Sequence, residues 1–214
     1  MSRGSFAIVP VREYRTTKTR LSRILSESER ASLTEALLVH VLRAIQESEL
    51  SGGIIVSSDP DETSIVASKF DKIRVIRESR LHGGVNSAVE DGIYALNNRG
   101  QCWKILVMPS DLPLLTSKAI NGAIELLDSC DLVINPSSKK DGTNLLAFAP
   151  SKRIRLFYDQ DSYPNHLKEA KSMHLKFAAI EWKEFSCDLD DLSDLEKIKQ
   201  ELKVRSVIEL LNSL

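Results

Sequence analysis

Two acidic stretches carry most of the chemistry open to this chain. In Pro109-Ser110-Asp111-Leu112-Pro113-Leu114-Leu115, Asp111 closely follows the apolar run 105–108 and stands between two prolines. A carboxylate at the carboxyl edge of a buried strand can ligate a hard cation such as Mg²⁺, which takes oxygen donors together with substrate phosphates. The same residue can equally be a turn Asp bonded to its own backbone. In Asp188-Leu189-Asp190 the carboxylates sit at i and i+2, so an extended chain points both to one side while Leu189 packs to the other. Two carboxylates ~4 Å apart repel by about 4 kcal/mol at an effective dielectric of about 20, and a cation between them removes that cost. The alternative is that Asp190 or Asp191 caps the helices that follow.

Cationic and polar loops supply the complement. Arg12, Arg15, Lys18 and Arg20 come just after the first apolar run, where a triphosphate lies in a nucleotide-binding sheet. A solvated charge run is the ordinary explanation, and neither G-x-G-x-x-G nor G-x-x-x-x-G-K-[ST] is present, which disfavours a Rossmann fingerprint and a P-loop. His82-Gly83-Gly84-Val85-Asn86 lets backbone approach a ligand and gives Asn86 an amide that can read a base or ribose, or else forms a turn and cap. Asp141-Gly142-Thr143-Asn144 suits an anionic substrate or an ordinary turn. Cys102, Cys130 and Cys187 are odd in number, with no C-x-x-C pair, so neither a disulfide framework nor a zinc site is indicated. His40, His82, His166 and His174 show no ligand spacing and read as surface or packing residues.

These loops need a scaffold, and the hydrophobic pattern predicts one. Short β-branched runs at 7–11, 54–56, 73–76, 105–108, 132–134, 145–149 and 177–180 read as strands. Helices are expected after the capping box Ser26-Glu27-Ser28-Glu29, over 62–69 and 86–97, from a Thr116 cap to Leu127, and over 163–173, 194–202 and 204–211. Strands alternating with helices imply a parallel sheet with crossover helices on both faces and ligands at the strands' carboxyl ends. The chain of 214 residues is 42% hydrophobic, enough for one core and one domain. Its net charge of -1 gives no footprint for a nucleic-acid backbone. No apolar run approaches the ~20 residues that span a bilayer, and the opening Met1-Ser2-Arg3-Gly4-Ser5 lacks the blocks of a signal peptide, so a soluble cytoplasmic protein is expected.

As an ordered set, Ile8-Val9-Pro10-Val11-Arg12, Lys18-Thr19-Arg20-Leu21-Ser22, Gly84-Val85-Asn86, 109–115, Gly142-Thr143-Asn144 and Asp188-Leu189-Asp190 resemble the 2-phospho-L-lactate guanylyltransferase family of coenzyme F-420 biosynthesis, over nearly the whole chain. The resemblance implies a single-domain α/β nucleotidyltransferase fold, glycosyltransferase-A-like, a three-layer sandwich on a mostly parallel mixed sheet. Within it, about 1–135 would bind nucleotide, about 136–190 the substrate, and 191–214 would form C-terminal helices. It implies transfer of GMP from GTP to the phosphate of a small phosphorylated acid, such as 2-phospho-L-lactate or phosphoenolpyruvate, with release of pyrophosphate. Carried over residue by residue, Asp111, Asp188 and Asp190 hold Mg²⁺, while Asp111, Lys18 and Arg20 serve catalysis. Arg12, Lys18, Arg20, Gly84, Asn86, Pro109 and Ser110 contact GTP, and Thr143, Asn144, Asp159 and Ser162 the acid.

This chain departs from the family pattern at Asp159 and Asp161, which stand in a loop that elsewhere bears glycine and add negative charge. Val85, Ser110 and Leu192 replace a usual Leu, Ala and Pro. Family analogy is consistent with a homodimer and names no nucleic-acid or membrane partner. The rival readings are a sister enzyme acting on a sugar phosphate or a molybdenum-cofactor precursor, and a noncatalytic nucleotide-binding module. The first usually carries a glycine-rich first loop, which Pro10-Val11-Arg12 lacks.

Overall fold

The computed structural model describes residues 4–80, 83–97, 102–152, 154–202 and 209. His82 and nearly all of the expected helix over 204–211 lie outside them. Seven strands form one sheet in the order β3-β2-β1-β4-β6-β5-β7. They are β1 (Gly4–Val11), β2 (Gly52–Ser57), β3 (Ile73–Arg77), β4 (Cys102–Val107), β5 (Leu132–Pro136), β6 (Thr143–Phe148) and β7 (Phe177–Ala179). All pair in parallel except β6, which is antiparallel to both β4 and β5.

The strand order sets the site. β1, β2 and β3 run outward in one direction and β4 returns to the other side of β1, so the loops after β1 and β4 flank a crevice at their carboxyl ends. Because β6 is reversed, its first residues, Thr143 and Asn144, reach that same edge beside the end of β5. A strand that merely continued the parallel pattern would have put Thr143 at the opposite end of the sheet.

Period-two alternation divides the core into two layers. On β1, Ala7, Val9 and Val11 face one layer while Ile8 faces the other. The first layer is covered by α1 (Glu27–Glu47), α2 (Pro60–Ala67), α4 (Ser117–Leu126) and the short α6 (Lys183–Ser186), which the sequence pattern does not foresee. The second is covered by α3 (Gly84–Asn97) and α5 (Ser162–Ser172). On α3, a Cβ at Gly92 would lie 2.7 Å from Ile8, so only glycine lets this helix sit so close to β1. No helix among the described residues is long and apolar enough to cross a membrane.

Local start signals work as expected. Ser26 accepts from the Glu29 N–H while Glu29 accepts from the Ser26 N–H, closing the capping box of α1. Thr116 accepts from the Ala119 N–H and starts α4. A third apolar cluster has a positioning role. Leu21 and Leu25 of the β1 loop, Leu33 and Leu37 of α1, and Leu189 pack against Leu195 and Ile198 of α7 (Leu192–Leu202). Helix α7 thus clamps the loop carrying Lys18 against the segment carrying Asp188 and Asp190.

Candidate active site

At the crevice between β1 and β4 two of the three expected carboxylates, Asp111 and Asp190, meet on one ammonium, with Asp188 beside them. Lys18 Nζ donates to Asp111 Oδ2 and, at 3.2 Å, to Asp190 Oδ1. The Lys18 backbone is left-handed, with φ of 54°, a region lysine rarely enters, at the start of a short helical turn over Thr19–Leu21. Burial pulls its ammonium pKa down, but the Asp111 and Asp190 carboxylates outweigh that and hold it above its ordinary value. The Leu189 N–H donates to the Asp111 carbonyl at 3.2 Å, tying the two acidic segments directly together. Leu189 is fully buried, so its neighbours Asp188 and Asp190 face the crevice as the i, i+2 spacing requires.

Asp188 shows how crowded with negative charge this point is. Burial, then the neighbouring Asp111 and Asp190 carboxylates, push its pKa up to about 6, against the hydrogen bond it accepts from Asn144 Nδ2 at 3.0 Å. The capping alternative holds for its neighbour. Asp191 Oδ1 accepts from the Ser193 and Asp194 N–H groups at the start of α7, and Lys139 binds its other oxygen at 2.8 Å. Those hydrogen bonds, Lys139 first, hold the Asp191 carboxyl far below the usual range.

At the other end of the crevice a buried trio of uncharged side chains lies beside the Asp159 loop. Thr143 Oγ1 receives the Ser162 hydroxyl at 3.1 Å and lies 3.0 Å from His166 Nδ1, while His166 Nε2 accepts from the Phe157 N–H at 3.0 Å. Thr143, Ser162 and His166 are all buried, and burial lowers the His166 pKa to about 4. Ser162 opens α5 behind Asp161, itself left-handed with φ of 43°. Beside it, Asn86 Oδ1 accepts from the Tyr158 N–H and Asn86 Nδ2 donates to Asp159 at 2.6 Å. Gly84, with φ of 78°, allows the backbone to turn in next to that same Asp159 carboxylate.

A single cleft of about 300 Å³ joins the two ends, lined by Arg20 and Lys139 as well as Asn144, Ser162, Asp188 and Asp190. The structure therefore gathers Lys18, Asp111, Asp188, Asp190 and Asn144 at one end and Thr143, Ser162, Asn86, Gly84 and Asp159 at the other. Pro109 and Ser110 sit half-buried on the β4 loop, and Arg12 is exposed and does not line the cleft. Asn86 faces the Tyr158 loop, on the side expected for the acid. Sequence reasoning passed over His166. The available signal was its spacing four residues after Ser162, which puts both on one face of α5.

The donor set bears on a metal. Among the described residues, no three His, Cys, Asp or Glu side chains stand ready as a closed ligand group. Asp111 Oδ1, however, is buried with no hydrogen-bond partner, and the carboxylates around it are hard oxygen donors with the Lys18 ammonium drawn in between. The residues present fit a divalent cation.

The sheet is mixed, with one reversed strand, and carries acidic and basic loops at its switch point, where open α/β folds bind ligands. Over 99% of its length the chain superposes on a crystal structure of a candidate nucleotide-diphospho-sugar transferase from Desulfovibrio desulfuricans G20, covering 95% of that chain with a TM-score of 0.78 at 19% identity. The chain belongs to the family described as Guanylyl transferase CofC like, whose profile matches residues 5–212. It is 32% identical to a 2-phospho-L-lactate guanylyltransferase of Methanocaldococcus vulcanius, over 89% of this chain and 82% of that one. It is 29% identical to a phosphoenolpyruvate guanylyltransferase of Rubrobacter xylanophilus, over 91% and 93%. It is 30% identical to a 3-phospho-D-glycerate guanylyltransferase of Phenylobacterium zucineum, over 97% and 95%.

Proposed function

We propose that this enzyme transfers GMP from GTP to the phosphate of a small phosphorylated carboxylic acid, 2-phospho-L-lactate or phosphoenolpyruvate, as a step of coenzyme F-420 biosynthesis. A phosphate oxygen of the acid attacks the α-phosphorus of GTP, a new P–O–P bond forms, the bond to the β-phosphate bridging oxygen breaks, and pyrophosphate leaves. The acceptor phosphate, with a second pKa near ~6, is already largely dianionic at neutral pH and needs no general base. That agrees with His166, which lies buried behind Thr143 with both ring nitrogens bonded.

The observation that carries this reading is the meeting of Asp111, Asp188 and Asp190 at the switch point, with Lys18 bridging Asp111 and Asp190. Six aspartates line the cleft against two cationic side chains, a wall that repels a triphosphate and a phosphorylated acid alike unless cations intervene. Asp111, Asp188 and Asp190 would hold Mg²⁺, which when bound supplies the charge neutralisation that phosphoryl chemistry needs. Lys18 and Arg20 then turn to the triphosphate, and Thr143 and Ser162 orient the acid so that attack is in line.

The reading is tested by pyrophosphate release from purified protein with Mg²⁺, offering GTP, ATP, CTP or UTP with each of 2-phospho-L-lactate, phosphoenolpyruvate and 3-phospho-D-glycerate. Release that requires both GTP and one of the acids is the expected result. GTP binding with no release under any combination would instead identify a noncatalytic module.

A further inference from the structure

The two ring nitrogens of His166 have unlike partners, and together they fix where its proton sits. Nε2 faces the Phe157 backbone N–H, which can only donate, so Nε2 accepts. A neutral imidazole with a bare Nε2 carries its proton on Nδ1, and Nδ1–H therefore donates to Thr143 Oγ1. Ser162 donates its hydroxyl proton to the same oxygen. Both lone pairs of Thr143 Oγ1 are then occupied, which leaves its own O–H proton as the donor free for an incoming group.

We propose that His166 is a positioning residue for the acceptor: by occupying a lone pair of Thr143 Oγ1 it aims the Thr143 hydroxyl proton at an anionic oxygen of the phosphorylated acid. This rests on the reading of Thr143 as an acceptor contact. The ring is held in place by edge contacts to Phe157 and Tyr158, with centroids 5.8 and 5.1 Å away, and it is fully buried. Packing alone needs no nitrogen there. The imidazole adds an acceptor at one end and a donor at the other, and each meets a matching group. Burial also keeps the ring neutral around pH 7, so the arrangement does not switch near neutrality.

The test has two readouts. In ¹⁵N-histidine NMR of the full chain at pH 7, with the His166 signals assigned by their absence in His166→Asn, the Nδ1–H tautomer is expected; an Nε2–H tautomer overturns the proposal. In steady-state pyrophosphate release with whichever of the three acids the enzyme uses, His166→Leu should raise KM for the acid about tenfold or more, with kcat and KM for GTP within about twofold. His166→Asn places an amide N–H near the Nδ1 position and should recover most of that loss. Adding His166→Leu to Thr143→Val should cost nothing further.

Equal increases in both KM values, or no change in either, would assign His166 a purely structural role. Should His166→Leu fail to fold, His166→Asn and Thr143→Val decide: an acid KM as poor in the first as in the second overturns the proposal. Wild-type protein that turns over none of the acids removes the functional reading instead. An Nε2–H tautomer overturns the His166 assignment whether or not turnover is found.

Discussion

The two ends of the cleft solve opposite problems. At the Asp111 end, three carboxylates and one ammonium are packed within reach of each other, and the arrangement is held by charge, with Lys18 bridging Asp111 and Asp190. At the Thr143 end the groups are neutral, buried and held by directed hydrogen bonds between Ser162, Thr143 and His166. The net negative charge there attracts a cation from a distance, which in turn can accept a triphosphate, and such charge tolerates small displacements. Directed hydrogen bonds act only at contact and discriminate shape, which suits the choice among small acids.

The largest effect expected from breaking this contrast is at Asp111. Asp111→Asn should lower turnover on the order of a thousandfold by pyrophosphate release while the melting temperature stays near that of the wild type. A variant with unchanged turnover would remove Asp111 from the site. Lys18→Met comes next. It leaves the part-buried Asp111 and half-exposed Asp190 carboxylates without their counter-ion, and should cost on the order of 1 kcal/mol in a urea titration as well as about a hundredfold in turnover, with Mg²⁺ restoring part of the stability. A stability unchanged by the substitution would show that the ion pair contributes nothing to the fold.

At the Thr143 end the effects are smaller. Asn86→Leu releases the Tyr158–Asp159 loop, and should raise KM for the acid by about fivefold, about 1 kcal/mol, with KM for GTP unaffected. A change in the GTP value instead would return Asn86 to the nucleotide side. The pH dependence of stability separates the ends further. The His166 pKa falls from 6.5 to about 4 on folding, so the unfolded chain takes up a proton first as pH drops. Its contribution is fully present above about pH 6.5 and is lost progressively towards pH 4, at most on the order of 3 kcal/mol. Urea midpoints of the wild type should therefore drop more between pH 7 and 5 than those of His166→Asn, and parallel curves would contradict this.

The contrast also explains what the sequence reveals. Charged residues announce themselves: Asp188-Leu189-Asp190 and the proline-framed Asp111 can be read because spacing and residue type alone state their chemistry. The strands and most helices follow from apolar periodicity, and the capping box of α1 from four letters. The reversal of β6 cannot be read this way, because a buried run such as Leu145 to Ala147 looks the same in either direction, and yet it decides where Thr143 lies. His166 is hidden for the same reason. Its role comes from the Phe157 N–H and the Thr143 hydroxyl, which only the folded chain brings to it. Lys18 was legible as a phosphate-binding cation, but not as the bridge between two aspartates 93 and 172 residues away.

In the proposed site Asp111, Asp188 and Asp190 gather a divalent cation beside the nucleotide. Manganese electron paramagnetic resonance with a non-hydrolysable GTP analogue measures this directly, since protein-bound Mn²⁺ loses its free-ion signal. The wild type should take up Mn²⁺ together with the analogue, and Asp111→Asn and Asp190→Asn should lose at least tenfold in that uptake. Equal uptake by all three proteins would contradict the account.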